Sequence, residues 1–136
     1  KPIGDFISES NRVLKDDGIL ALAIPTATDN SNLSNLGILK FTWSSEHYSE
    51  KHITEELYQN GFEIVESNDI GKNVYSPLAK YYISNRDELR NKILSRYSKY
   101  VEKILFESMK KMQFASEKGL IGYLMLKCKK LALDSR

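Results

Sequence analysis

Apolar and polar positions along this chain fall into three rhythms. From Asp5 to Lys15, Phe6, Ile7, Val13 and Leu14 recur at near-helical spacing, and Arg12 and Lys15 sit in the last turn, where cations suit a helix dipole. Asp16-Asp17-Gly18 ends that helix, and Gly18 is free to take the positive φ a helix end favours. Ile19 to Ile24 is then an unbroken apolar run between Gly18 and Pro25, the pattern of a strand covered on both faces.

The same cues organise the remainder of the chain. Thr26 to Leu36 is rich in Ser, Thr, Asn and Asp, has no period, and reads as a loop leaving the carboxyl end of that strand. Ile38, Leu39, Phe41 and Trp43 fit a short helix or an extended lid. Ser49 is placed to cap a helix over 50–60, with Tyr48 and Ile53 as a hydrophobic staple, Ile53 and Leu57 buried, and Gly61 left-handed at its end. Phe62, Ile64 and Val65 open a second strand with Glu63 and Glu66 outward. Asp69 to Tyr82 brings Val74, Tyr75, Leu78, Tyr81 and Tyr82, and Pro77 argues against a regular helix through it. Ser84 or Asn85 caps a long helix running to about Ala115. Leu94, Tyr97, Val101, Ile104, Leu105 and Met112 form its apolar face, with Lys92, Arg96, Lys99, Lys103 and Lys110 opposite. Unbroken, it would be long for one small core, so a bend or a projecting lid is expected. Leu120 to Lys127 returns to strand character.

Composition narrows the class. The 136 residues suffice for one domain, and a formal net charge of +2 is too small to imply a nucleic-acid or membrane partner. The lysine stripe alone would suggest nucleic acid and steep salt dependence, but Glu88, Glu102, Glu107 and Glu117 balance it. Cys128 is the single cysteine, so no internal disulfide can form and a reducing, cytoplasmic setting is expected. No apolar run approaches the ~20 residues of a membrane span. A chain opening at Lys1 is expected to be a piece of a longer protein. His47 and His52, five residues apart, would diverge on a helix, and no metal site is expected.

Three stretches resemble class I S-adenosylmethionine-dependent methyltransferases, in the family's order. Glu9-Ser10-Asn11-Arg12-Val13-Leu14-Lys15 is similar to the helix that enters the family's fifth strand, with Asp16-Asp17-Gly18 where Pro-Gly-Gly is usual. Tyr48-Ser49, Glu55-Glu56-Leu57 and Asn60-Gly61-Phe62-Glu63-Ile64-Val65 resemble the next helix, turn and sixth strand. Gly122 to Lys130, GYLMLKCKK, resembles the closing seventh strand. No G-x-G-x-G stretch occurs, so the glycine-rich cofactor loop of the family has no counterpart.

The resemblance implies an α/β fold: the C-terminal part of a Rossmann-like sheet, about three strands of mixed parallel and antiparallel sense. A helical insertion at 72–118 precedes the last strand and serves as a substrate lid. It implies S-adenosylmethionine as cofactor, held mostly by residues outside this chain, and a small-molecule methyl acceptor. Methyl transfer from a sulfonium needs alignment and shielding more than covalent help. His47, beside the expected rim, is the candidate general base. Trp43, Tyr48, Tyr75 and Tyr81 are the candidate acceptor-binding residues. With its neighbouring strand absent, the Ile19–Ile24 edge would be open, predicting a homo-oligomer or cover from the missing N-terminal half. The alternative is a non-catalytic, methyltransferase-like binding or dimerisation module.

Overall fold

The computed structural model describes residues 3–28 and 48–132. Its elements are α1 (Ile3–Val13), β1 (Ile19–Ala27), α2 (Glu50–Gln59), β2 (Phe62–Asp69), α3 (Gly71–Ser84), α4 (Arg86–Leu94), α5 (Lys99–Glu117) and β3 (Ile121–Lys130). They form two compact units.

The sheet unit holds α1, β1, α2, β2 and β3 from Tyr123 onward. The strand order is β1-β3-β2, with the last strand in the middle. β3 runs antiparallel to β2, from Phe62 opposite Lys130 to Asp69 opposite Leu124, with an irregularity between Ile64 and Glu66. Lys130 N donates to Gly18 O (2.8 Å) and Asp17 N to Lys130 O (3.1 Å), which sets the start of β1 beside the end of β3. The hydrogen-bonded neighbours are therefore antiparallel and the two outer strands share a direction. The mixed sense expected from sequence resolves in this way.

The core of this unit is apolar. Ile3 and Ile7 of α1, Leu22 of β1, Ile53 and Leu57 of α2, Phe62 of β2 and Leu124, Leu126 and Cys128 of β3 form one buried cluster. Ser49 caps α2, accepting from His52 N at 3.1 Å, and Gly61 takes φ 78°, both as the spacing predicts. Burial pushes the Cys128 thiol up to about 11, so it packs as a small apolar group rather than a nucleophile.

Three expectations for the first segment need correction. The left-handed residue of the α1–β1 turn is Asp17 (φ 62°), not Gly18. Gly18 is required for a different reason: a Cβ there would lie 2.7 Å from Lys15 O. α1 buries Ile3 and Ile7 but exposes Phe6 and Val13, which lie on its other flank. β1 is covered on one face only: Leu22 is buried, while Ile19, Ala21 and Ala23 are exposed. An apolar run does not say by itself which neighbours the chain supplies.

Among the described residues the helical unit spans 71–122. α3 passes through Pro77, contrary to the sequence reading. Pro77 is exposed, so the Asn73 carbonyl that its ring leaves unpaired can meet water. The long helix divides into α4 and α5. Ser95 closes α4, and Ser98 caps α5 by accepting from Val101 N at 3.3 Å. Asn85 makes no side-chain cap; its Nδ2 donates back to Tyr81 O at 2.8 Å. Tyr97 and Val101 are exposed rather than buried, and the buried face of α5 is Glu102, Ser108, Met112, Ala115 and Ser116.

Candidate functional site at the carboxyl end of the first strand

In an open α/β sheet the ends where strands sharing a direction terminate are where ligands bind. Here that end of β1 is Thr26 and Ala27, both buried. Tyr48 returns to the same place through a parallel bridge with Thr26, and Ala27 N donates to Tyr48 O at 3.1 Å. The α2 cap that Ser49 provides then fixes where α2 begins. Across its first turn the Tyr48 and His52 rings stack, centroids 5.5 Å apart and planes 20° apart. His52 Nε2 faces Glu56 Oε1 at 4.0 Å, one turn on. Glu56 also lies over the backbone of α1, where a Cβ on Gly4 would come within 2.7 Å of its Oε2. The rim therefore offers a phenol stacked on an imidazole, and a carboxylate one turn further along α2, anchored to β1 through the Ala27–Tyr48 backbone hydrogen bond.

The sequence-derived residues distribute unevenly. Tyr48 stands at this rim, half-buried against the apolar core. Trp43 and His47 lie outside the described residues. Tyr75 is buried in the helical unit, its hydroxyl donating to Gly122 O at 3.2 Å. Tyr81, six positions further along α3, is 62% exposed. Tyr75 and Tyr81 thus lie on different faces of α3. Among the described residues no group of three His, Cys, Asp or Glu side chains is close enough to hold a metal ion. No helix among them is long and apolar enough to cross a membrane.

Sequence reasoning missed the main polar feature of the helical unit. Glu102, which reads from sequence as a solvated acid, is buried. It accepts from Arg86 Nε at 2.9 Å and Nη2 at 3.3 Å, with Arg90 Nε 3.5 Å away. The hydrogen bond from Arg86 holds its carboxyl below the usual glutamate value, against the opposing effect of desolvation. The Arg86 guanidinium also lies 3.5 Å from the centre of the Phe106 ring. The Tyr82 hydroxyl, buried without a hydrogen-bond partner, is shifted upward, first by burial and then by the Glu102 charge. A signal existed: Glu102 falls on the helical face of Met109, Met112 and Ser116. Its partner Arg86 lies 16 residues away, which no local spacing reveals.

Solved structures give the fold its context. The cyclopropane synthase MmaA2 from Mycobacterium tuberculosis superposes with a TM-score of 0.78 at 16% identity, covering 93% of this chain and 49% of that one. The mycolic acid cyclopropane synthase CmaA1, complexed with S-adenosylhomocysteine (SAH) and CTAB, gives 0.78 at 17%, with 93% and 49% covered. A Haemonchus contortus phosphoethanolamine N-methyltransferase, complexed with phosphomonomethylethanolamine and S-adenosylhomocysteine, gives 0.74 at 13%, with 95% and 30% covered. The fold is that of the C-terminal part of class I S-adenosylmethionine-dependent methyltransferases. The chain spans about half the length of the first of these structures. No protein-family model matches the sequence, and no characterised protein matches it in sequence.

Proposed function

We propose that this chain is the acceptor-side part of an S-adenosylmethionine-dependent methyltransferase acting on a small molecule. One observation carries the reading: an antiparallel last strand lies between two outer strands of common direction, with three helices inserted before it, and the whole superposes on methyltransferases over 93% of its length. Those structures include an N-methyltransferase complexed with phosphomonomethylethanolamine and S-adenosylhomocysteine.

The chain's residues suit the acceptor's side rather than the donor's. It has no G-x-G-x-G turn, so donor binding depends on residues beyond this sequence. When bound, S-adenosylmethionine supplies a methyl group already activated as a sulfonium. The work left to this chain is to position the acceptor, exclude water and accept a proton. Tyr48 walls the acceptor, Trp43 adds to that wall, and His47 takes the proton from a hydroxyl or amine. Residues 72–118 act as the lid.

Calorimetric titration of S-adenosylmethionine into the protein at its natural full length, followed by transfer of labelled methyl to a panel of small amines and alcohols, tests this. Binding and transfer are expected, with His47→Ala lowering turnover by about 100-fold or more. Failure to bind the donor at full length overturns the methyltransferase assignment; unchanged turnover in His47→Ala removes the base role alone.

The uncovered face of β1 favours a second reading, a binding or dimerisation module. Ile19 is 48% exposed on an edge strand, beside Ala21 and Ala23. In that case sedimentation shows the chain self-associating, and Ile19→Lys returns it to monomer.

A further inference from the structure

The helical unit contains a groove of about 430 Å³ that the methyl-transfer reading does not use. It lies along α4 and the first two turns of α5, and its size falls in the range of small-molecule sites. Four cations line it: Arg86, Arg90, Lys99 and Lys103. Two carboxylates oppose them, and each pairs with another cation. Glu102 is held by Arg86 and Arg90, and Glu107 by Lys110 at 3.0 Å. Among the described residues no carboxylate lies within 4 Å of the Lys99 or Lys103 ammonium groups.

The placement of those lysines is unfavourable by itself. Lys99 opens α5, at the positive end of the helix dipole, and Lys103 follows one turn later. The first N–H groups of α5 have no acceptor within the helix, apart from Val101 N, which the Ser98 side chain satisfies. An anion seated in the groove meets the two ammonium groups near the positive end of the α5 dipole. Two unpaired charges one turn apart match a dianion better than a monoanion. Phe106 and Tyr100 line the same groove and offer an apolar wall, with Tyr100 72% exposed at its lip. The buried Glu102 holds the Arg86 guanidinium by two hydrogen bonds and draws Arg90 to 3.5 Å, so this side of the groove is organised before any ligand arrives.

We propose that this groove binds a small organic phosphate monoester, its phosphate on Lys99 and Lys103 and its organic part against Tyr100 and Phe106. The proposal is independent of the methyltransferase reading. It needs neither a donor nor catalysis.

Phenyl phosphate is the probe, titrated calorimetrically into the intact chain at low salt. Saturable binding at one site is expected, weakening as salt rises. Replacing both lysines (Lys99→Gln with Lys103→Gln) should weaken it about tenfold or more, the scale of losing a charge-assisted hydrogen bond. Both are exposed helix-surface positions, and an unchanged circular dichroism spectrum and melting curve confirm that the variant folds. Lys92→Gln, which removes an exposed partner of Glu88 on α4, should leave binding unchanged. Absence of binding overturns the proposal. So does equal binding by the double variant, equal binding of benzoate, or binding confined to vesicles of phosphatidic acid with none to the soluble probe.

Discussion

The two units are held together by different physics. In the sheet unit, nine buried residues from five elements form one apolar cluster, and the described polar contacts lie at its margins: the Ser49 cap, the Lys130 ammonium on Asn11 O and Leu14 O, and the Asn11 amide on Asn60 O. In the helical unit the buried face of α5 mixes Met112 and Ala115 with Ser108, Ser116 and Glu102, and that buried carboxylate gathers two arginines. An apolar cluster tolerates neighbours of any sequence separation, because burial is non-directional. A buried charge needs particular partners at particular distances, and removing one leaves the other desolvated. The sheet unit should therefore answer to volume, and the helical unit to charge.

The largest expected effect tests the first half of that contrast. Phe62 is fully buried, and Phe62→Ala should lower unfolding free energy by about 3–5 kcal/mol. Phe114 of α5 is 46% exposed, and Phe114→Ala should stay within about 0.5 kcal/mol of wild type. Urea denaturation of both variants reads the difference. Similar losses would mean that Phe114 is covered in solution.

Glu102 tests the second half. Glu102→Gln keeps the size but removes the charge that Arg86 and Arg90 face. Hydrogen exchange should show α4 and α5 losing protection while β2 and β3 keep theirs. Acid should do the same to the unmodified chain. A carboxyl held below its ordinary value stabilises the fold fully above that value and loses this contribution as pH falls through the lowered one. Glu9 is shifted in the same direction by Arg12, but on an open surface where pairs contribute little. Protection of α4 and α5 should therefore fall with pH in the unmodified chain and much less in Glu102→Gln. Parallel loss in both would assign the acid response elsewhere.

The α1–β1 turn gives a smaller effect within the sheet unit. Gly18→Ala forces a methyl group toward Lys15 O and should destabilise by about 1–3 kcal/mol. Asp17→Gly relieves a left-handed non-glycine residue, so any loss there should be smaller. Thermal melts of the two variants rank them. The reverse ranking would show that the chain relaxes around a methyl group at position 18 and that the crowding against Lys15 O is not what makes Gly18 necessary.

What could be read in advance divides along the same line. Ser49, Ile53, Leu57, Gly61 and Phe62 announced a capped helix, its end and the next strand, because each signal lies within a few residues of its effect. The apolar run of β1 announced a strand but not its uncovered face, since coverage depends on elements distant in sequence. The Arg86–Glu102 pair was illegible for that reason, and Glu102 read as one more solvated acid. Pro77 misled because its consequence depends on which side of α3 meets solvent. At the candidate site, Tyr48 was legible through its staple spacing. Its parallel bridge to Thr26 was not, because 22 positions separate them.

The smallest expected effect asks where the contrast between the units stops. Ser49 and Ser98 perform the same act in the two units, each accepting from the amide three residues on, at 3.1 and 3.3 Å. A cap is local and depends on neither core volume nor distant charge, so Ser49→Ala and Ser98→Ala should each destabilise by about 1 kcal/mol. Ser98 has a further task. It separates α4 from α5, and without its side chain the residues from Ser95 to Ser98 are freer to join one continuous helix. Because the groove lined by Arg86, Arg90 and Lys99 depends on that break, Ser98→Ala should weaken phenyl phosphate binding, while Ser49→Ala leaves it unchanged. Equal binding by the two variants would show that the break between α4 and α5 is set by packing and not by the cap.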